Sequence, residues 1–256
     1  MHTNDPLRPV VFAYTAVRDT LAAVATGDSR REPDDTVLAV SGAPVAGLNG
    51  VISPDLEPDP GVVEALADSA SLRGLPWSIQ VRGVPGPRIS AVAARHGLTH
   101  VSAQPLMVRR CDAGTPSQPA TGPLRVRAVR ADELGLYAKI MAEGFGVPPE
   151  MFEIFADPAL AEREGFTFYL AEVDGVPVGT GMAAVSGDLL GVYNISVLPD
   201  HRRQGHGLAI TTEIVRAGHA AGATTAYLYS SAMGVPVYTS AGFHTAEILT
   251  WFTAPA

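Results

Sequence analysis

The sequence predicts an α/β (α+β) fold made of two related units, each a mixed β-sheet with flanking helices. Three pairs of similar segments support this prediction: VSGAPVAG (40–47) and VDGVPVGT (173–180), ISPD (52–55) and VLPD (197–200), RHGLTHVSAQPLMV (95–108) and SAGFHTAEILTWF (240–252). The pairs occur in the same order in both halves, so we interpret the amino-terminal half as a degenerate copy of the other. Chance similarity among turns rich in glycine and proline is the alternative.

Each pair of segments predicts particular elements. The first pair is typical of two strands joined by a turn, with Gly42 or Gly175 at the turn. The second pair ends a strand at Asp55 or Asp200, and a helical pattern follows. The third pair is typical of a helix end, a glycine and a closing strand. Between the first two pairs the amino-terminal half is about a strand shorter, which is why we regard it as the degenerate copy.

The two copies are separated by a segment with the composition of a linker. Residues 111–122, CDAGTPSQPATG, are mostly small, polar, proline or glycine and have no periodicity. They lie between the strand-like segments VSAQPLMVRR and LRVRAV. The sequence therefore predicts a degenerate domain at residues 1–110, a linker at residues 111–122 and a complete domain at residues 123–256.

Composition excludes several classes of protein. The chain has 256 residues, of which 46% are hydrophobic, and no apolar run approaches the ~20 residues that span a bilayer. The single cysteine, Cys111, excludes an intramolecular disulfide framework. A formal net charge of −8 argues against nucleic acid as a partner. We expect a cytoplasmic protein with no membrane association.

The segment HRRQGHG, residues 201–207, differs from an ordinary helix start. At the matching place the amino-terminal half has LEPDPGV, in which Asp59 can cap a helix and Pro60 suits its first turn. Helix initiation therefore does not require the arginines and the two glycines of the carboxy-terminal copy. These residues indicate an additional role.

That additional role is consistent with the binding of a large anion. Gly205 and Gly207 let the backbone approach a ligand closely, and the amides and dipole of the following helix favour negative charge. Arg202 and Arg203 add positive charge. We interpret residues 202–208, here called the cradle, as a pyrophosphate site, with a solvated helix start as the alternative. The segment matches neither the Walker loop nor the dinucleotide-binding GxGxxG pattern.

Two motifs carry a resemblance to a known family. Arg202-x-x-Gly205-x-Gly207 after the strand VYNISV resembles the acetyl-CoA motif of the GCN5-related N-acetyltransferases (GNAT). The segment YLYSSAMGVPVYTSAGF (227–243) resembles their carboxy-terminal signature. The resemblance covers residues ~123–256 well and residues ~10–110 weakly, and it implies a GNAT fold with acetyl-CoA as cosubstrate.

The resemblance implies a cofactor-binding role for one run of residues. The pantetheine arm pairs with the backbone of the central strand at Ile195, Ser196 and Val197. The pyrophosphate falls on the cradle, at Arg202, Arg203, Gln204, Gly205, His206, Gly207 and Leu208.

Tyr238 corresponds to the family's general acid, which protonates the departing thiolate. The spacing to Gly242 and Phe243 supports this role, and a half-buried tyrosine with its hydroxyl in water is the alternative. The amino-terminal copy has Ala93 at the matching position. One active site per chain is therefore expected.

The general base is not determined by the sequence. Many members of the family place a glutamate on the central strand, but the corresponding position here is Gly191. Tyr193 faces the same side by strand alternation, where it can hold a water or the substrate, or belong to the core. The other candidates are three glutamates that also fit a solvated helix face: Glu143, Glu150 and Glu153. Ser231 is predicted to cap a helix, and no histidine spacing predicts a metal site.

These features together predict an acetyl-CoA-dependent N-acetyltransferase whose amine acceptor attacks the thioester directly. The acceptor is a small molecule or a peptide, and the chain is a monomer or a homodimer. The alternatives are a non-catalytic CoA-binding or scaffold protein, and an acyltransferase that uses a different acyl-CoA.

Overall fold

The structure, a computed structural model, describes residues 5–114 and 124–255. The chain forms two compact units, Met1–Pro105 with Glu247–Ala256, and Leu106–Ala246. Each unit has helices packed on a sheet with both parallel and antiparallel strand pairs. The predicted mixed α/β architecture is therefore confirmed.

Within the described residues the α-helices are α1 (Arg8–Ala25), α2 (Pro60–Ala67), α3 (Pro87–Arg95), α4 (Leu134–Phe145), α5 (His206–Ala220) and α6 (Val235–Ser240). The strands are β1 (Asp28–Arg31), β2 (Val37–Val40), β3 (Asn49–Ile52), β4 (Ser78–Arg82), β5 (His100–Arg110), β6 (Leu124–Ala128), β7 (Phe166–Val173), β8 (Val176–Ser186), β9 (Leu189–Val197), β10 (Thr225–Tyr229) and β11 (His244–Thr253). Short 3₁₀ helices lie at Ala46–Leu48, Ala70–Leu72, Ala131–Glu133, Pro149–Ala156, Pro158–Leu160 and Pro199–His201.

The first unit contains strands β1 to β4, in that order, followed by β11. Strands β3 and β4 are parallel and are connected through α2, while the other pairs are antiparallel. As the sequence predicts, Asp59 is the N-cap of α2, with a side-chain oxygen 2.8 Å from the amide nitrogen of Gly61, and Pro60 is the first helical residue. Buried aliphatic residues such as Val51, Val63 and Ile79 form the core.

The second unit has the strand order β5-β10-β9-β8-β7-β6. Strands β9 and β10 are parallel and are connected through α5. Strands β7 and β8 form the predicted hairpin, with Asp174 and Gly175 at the turn and φ angles of 50° and 79°. Positive φ at both central residues is the conformation that suits an Asp-Gly hairpin turn. Ile210 and Ile214 of α5 are fully buried against this sheet.

The closing strands do not follow the predicted domain boundaries. Residues 106–110 of β5, from the first half of the sequence, pair with β10 in the second unit. Residues 249–253 of β11, from the second half, pair with β4 in the first unit. The compact units therefore differ from the predicted domains 1–110 and 123–256, because each contains a strand from the other half of the chain.

Two further details differ from the sequence prediction. Residues 111–113, placed in the linker, belong to the second unit: Cys111 is buried and its amide donates to the carbonyl of Thr224. The rest of the predicted linker, residues 115–122, lies outside the described residues. The segment 40–47 is not a tight hairpin, because β3 begins only at Asn49, after a 3₁₀ turn.

Among the described helices, none combines the length and apolarity needed to cross a membrane.

Candidate active site

The second unit contains a gap between two parallel strands, which we call the fork. Strands β9 and β10 pair at only three positions, and the last pair is Gly191 with Tyr227. Strand β9 then continues to Val197, and the described register gives these later residues no partner on β10. Apart from the Val197 carbonyl, which accepts from Arg202, the backbone edge of residues 192–197 is therefore available for hydrogen bonds to an extended ligand.

A bulge in β9 gives the strand its shape at the fork. The register with β8 shifts between Thr180 and Met182, and Asn194, opposite this shift, has a φ of 54°. Thr180 stabilises the bulge, because its hydroxyl donates to the carbonyl of Asn194 and lies 2.7 Å from the hydroxyl of Ser196. Bulges redirect the side chains and backbone groups of a strand.

The predicted pantetheine-binding residues alternate between the two faces of β9. Ser196 is buried against α4, where a Cβ on Gly144 would lie 2.6 Å from its hydroxyl. Ile195 and Val197 are half-buried and pack on the α5 side, next to Gly207. Their side chains are thus occupied with packing, and their backbone groups are the part that faces the fork.

The cradle follows β9 directly. A 3₁₀ turn at Pro199–His201 reverses the chain, and Arg203 and Gly205 then have φ angles of 63° and 82°. Left-handed residues in such a loop turn consecutive amides toward the same side. The helix α5 begins at His206 with Gly205 as N-cap and without a side-chain cap.

The cradle contains a run of unpaired backbone donors. None of the six amides of residues 203–208 donates to an acceptor among the described residues, and the first bond of α5 joins the Ala209 amide to the Gly205 carbonyl. Unpaired amides at a helix start, together with the helix dipole, form a favourable site for an anion. Arg203, Gln204 and Gly205 are exposed, so these donors are accessible.

Gly207 is not required by the packing of the protein. It lies within α5, and a Cβ at this position would meet no atom closer than 3.8 Å, which is the Cγ1 of Val237. Glycine inside a helix is about 1 kcal/mol less favourable than alanine. Without a side chain at this position, the surface beside the cradle is open.

Arg202 has a structural role beside its charge. Its Nε donates to the carbonyl of Val197 at 3.1 Å, and its Nη2 donates to the carbonyl of Gly144 at 2.7 Å. The guanidinium thus joins the end of β9 to the end of α4. Two of its donors are engaged with the backbone, whereas no hydrogen bond to a described residue holds the exposed Arg203 side chain.

His206 is the first residue of α5 and lies 6.3 Å, between ring centroids, from His201. Its Nε2 is buried and has no hydrogen-bond partner among the described residues. Burial lowers the pKa of His206, and His201 lowers it further. A neutral imidazole at the cradle leaves the positive potential there to the arginines and the helix dipole.

Tyr238 lies on α6, and its ring packs at the edge of the core with Phe243 6.2 Å away. The Ser231 hydroxyl accepts from the Gly234 amide at 3.3 Å, but the N-cap of α6 is Gly234 and the helix has no side-chain cap, so Ser231 is not the cap that the sequence predicts. Gly234 is needed here, because a Cβ would lie 2.8 Å from the Tyr238 ring. The Tyr238 hydroxyl has no hydrogen bond to any described residue, and burial raises its pKa to about 12.

A buried arginine holds the end of α6. Arg109 of β5 is 3% exposed and donates to the carbonyl of Ala241, at the C-cap of α6, and to the carbonyl of Ala113. The following residue, Gly242, has a φ of 85° and allows the turn beside the guanidinium. Arg109 therefore positions the helix that carries Tyr238, a role that sequence reasoning missed because the contact spans 132 residues.

The Tyr193 ring covers the position where the family commonly has a glutamate. A Cβ on Gly191 would lie 2.7 Å from the Tyr193 hydroxyl, so the two residues share a face as strand alternation predicts. That hydroxyl is 2.8 Å from the hydroxyl of Tyr227, and the two rings are perpendicular. Tyr227 was not recognised from the sequence, because its proximity depends on the register of β9 and β10.

The three glutamates considered as bases are all exposed: Glu143, Glu150 and Glu153. No ion pair or hydrogen bond to a described residue holds their side chains in place. This arrangement fits a solvated surface better than a positioned base. Within the described chain there is also no group of three or more histidine, cysteine or acidic side chains placed to hold a metal ion.

In the described part of the first unit there is no equivalent of the fork. Strand β3 pairs with β4 up to Ile52, and the Ser53 amide then donates to the Gln80 carbonyl at 3.0 Å. Beyond that, the buried Arg82 donates to the Pro54 carbonyl and is neutralised by Asp5 and Glu247. The strand edge that is open in the second unit is thus closed here.

Comparison with known proteins finds one matching family model. The family model for the acetyltransferase (GNAT) domain matches residues 164–245, which include the fork, the cradle and Tyr238. No curated protein matches the sequence.

Solved structures resemble the chain over nearly its whole length. A GCN5-related N-acetyltransferase from Kribbella flavida has a TM-score of 0.65 and 22% identity, with 95% of each chain covered. A functionally unknown conserved protein from Staphylococcus epidermidis has a TM-score of 0.63 and 13% identity, covering 90% of this chain and 94% of its own. These identities establish the fold alone. The chain is therefore similar to the acetyltransferase (GNAT) domain over residues 164–245 and shares its fold with these structures.

Proposed function

We propose that this protein is an N-acetyltransferase that uses acetyl-CoA as cosubstrate and transfers the acetyl group to an amine. The observation that carries the proposal is the run of six unpaired amides in the cradle, at the end of an open strand edge. The edge suits the amide groups of a pantetheine arm, and the cradle suits the pyrophosphate. A scaffold protein would not need the Tyr238 hydroxyl.

The proposed reaction forms one bond, breaks another and moves two protons. The neutral amine attacks the thioester carbonyl, a C–N bond forms, and the C–S bond breaks. The thiolate takes a proton from Tyr238, whose hydroxyl is protonated at neutral pH and whose pKa burial raises further, to about 12. The proton released by the amine goes to water, and water returns a proton to Tyr238 for the next turnover.

The first unit is proposed to be a degenerate copy of the second. Both units contain an antiparallel strand pair, a helix and a parallel strand, in that order. The helix of the first unit starts with Asp59 and Pro60, which present a carboxylate and remove an amide donor where the second unit has its cradle. Ala93, which stands at the position matching Tyr238 in the paired segments of the sequence, is fully buried.

The test of the proposed function is release of free thiol from acetyl-CoA in the presence of a panel of amines. Small cationic amines, peptides with a free amino terminus and amine antibiotics belong in the panel, because the net charge of −8 favours cationic acceptors only weakly. Amine-dependent thiol release supports the proposal. A protein that binds CoA tightly and releases no thiol with any amine supports the scaffold alternative.

We expect one CoA to bind per chain, because an open strand edge and a cradle occur together only in the second unit among the described residues. Isothermal titration calorimetry of the full chain with CoA measures the stoichiometry. Asp59→Ala is a suitable companion variant: it removes the carboxylate from the first unit and should leave the stoichiometry at one. Two sites per chain would contradict the assignment of the first unit as degenerate.

We expect no decline in kcat between pH 7 and pH 10 that results from deprotonation of Tyr238. A general acid works in its protonated form, and with a pKa of about 12 Tyr238 stays protonated throughout this range. The pH profile of kcat, measured with a saturating amine, checks this. An alkaline limb with a midpoint below pH 10 that is absent in Tyr238→Phe would contradict the raised pKa.

A further inference from the structure

We infer that Tyr193 and Tyr227 limit the length of the acyl group and restrict the substrate to short acyl thioesters. The inference rests on the proposed function, because it takes a CoA thioester as the ligand of the fork. It goes beyond that function by naming the two side chains that select the acyl group.

The backbone sets the direction in which the acyl group points. A ligand with its pyrophosphate on the amides of residues 203–208 runs along β9 from Val197 toward Tyr193. The four steps from Val197 to Tyr193 span at most about 13 Å at the usual rise of a strand. The acyl group, at the far end of such a ligand, approaches the closed end of the fork, where Gly191 and Tyr227 form the last strand pair.

The two tyrosines fill the closed end of the fork on the α4 face. The Tyr193 ring lies on Gly191, and the centroids of the Tyr193 and Tyr227 rings are 6.2 Å apart. Their hydroxyls are 2.8 Å apart, and this hydrogen bond holds the Tyr193 ring in place. Tyr227 is only 1% exposed, so its ring is enclosed by the protein.

The opposite face of the fork is closed by the core under α5. Leu190 and Val192 of β9 and Leu228 of β10 are at most 3% exposed and belong to one cluster with Ile214 of α5. A longer acyl chain therefore meets the tyrosine pair on one face and packed aliphatic side chains on the other. Close-packed sites of this kind reject additional methylene groups.

The experiment compares the affinities of CoA, acetyl-CoA, propionyl-CoA, butyryl-CoA and hexanoyl-CoA for the full chain, measured by calorimetry without an amine. The affinity for CoA reports on the cradle and the open strand edge. The ratio of the affinity for each acyl-CoA to the affinity for CoA reports on the closed end of the fork. We expect acetyl-CoA to bind about as well as CoA and hexanoyl-CoA to bind at least about tenfold more weakly.

Three variants test the role of the tyrosines. Tyr193→Ala removes the ring and should bring hexanoyl-CoA to within about threefold of acetyl-CoA, with CoA affinity retained. Tyr227→Phe keeps both rings but removes the hydrogen bond between the hydroxyls. The ratio of the affinities for acetyl-CoA and hexanoyl-CoA should therefore fall several-fold. Tyr169→Phe changes a buried tyrosine on β7 that is separate from the fork, and it should leave this affinity ratio unchanged.

The outcomes separate this inference from the proposed function. If neither the wild-type protein nor any variant binds CoA, the proposed function itself fails. If CoA binds but wild-type affinity is independent of acyl length, or if Tyr193→Ala discriminates like the wild type, the inference is wrong. Should Tyr193→Ala not fold, Tyr227→Phe decides, and unchanged discrimination in that variant overturns the inference.

Discussion

The Gly207→Glu variant is expected to lose CoA binding while the protein stays folded. A glutamate at this position places a carboxylate beside the six amides of the cradle, where the proposed pyrophosphate has to lie. Repulsion at about 4 Å costs on the order of 1–4 kcal/mol for each charge pair near a protein surface. Together with the lost space, this predicts a fall in affinity of about 100-fold or more, measurable by calorimetry.

Two control variants show whether the effect belongs to the ligand site. Gly207→Ala adds only a Cβ, which would lie no closer than 3.8 Å to another atom of the protein. Alanine also has a higher helix propensity than glycine. We expect this variant to unfold at the same or higher urea concentration and yet to bind CoA about tenfold more weakly. Gly135→Glu makes the same charge change in the first turn of α4, at an exposed glycine with no neighbour within 4 Å of its Cβ. It should bind CoA normally.

The result that would contradict the cradle is a folded Gly207→Glu protein with unchanged CoA affinity. A variant that loses binding together with its thermal transition would instead reflect damage to α5. In that case Gly207→Ala decides, because its structural effect is expected to be neutral or favourable. Unchanged affinity in that variant would show that no ligand approaches this face of the helix.

Local patterns in the sequence predicted the elements that depend on local chemistry. Asp59 and Pro60 predicted the start of α2, and Gly175 predicted the turn of the β7–β8 hairpin, because capping and turn formation involve only neighbouring residues. The cradle was found for the same reason, since its glycines and arginines are consecutive. The roles assigned to its residues remain predictions until a ligand is tested.

Features that depend on the pairing of distant strands were not predictable from one sequence. The closing strands β5 and β11 have similar local sequences, so nothing in either strand indicates that it pairs with the other half of the chain. The absence of a glutamate at Gly191 was recognised, but its structural reason was not. The glycine is required because the Tyr193 ring occupies the space that its side chain would take.

The Tyr238→Phe variant is expected to lose most of its turnover while CoA affinity changes little. Removing the hydroxyl keeps the ring that packs against the core and Phe243, and it removes the proposed proton donor to the thiolate. General acid catalysis contributes roughly 10²–10⁴-fold, or about 3–5 kcal/mol of barrier. The loss should appear in kcat, because the proposed pyrophosphate contacts are made by the cradle.

The measurement is kcat and KM with an amine identified in the thiol-release screen, together with CoA affinity from calorimetry. Because the Tyr238 hydroxyl has no hydrogen bond to a described residue, its removal should leave the midpoint of urea unfolding within error of the wild type. Tyr169→Phe serves as the matched control and should keep full activity. Full activity of folded Tyr238→Phe would show that the thiolate is protonated by another group, whereas lost turnover with intact binding separates the enzyme from a CoA-binding scaffold.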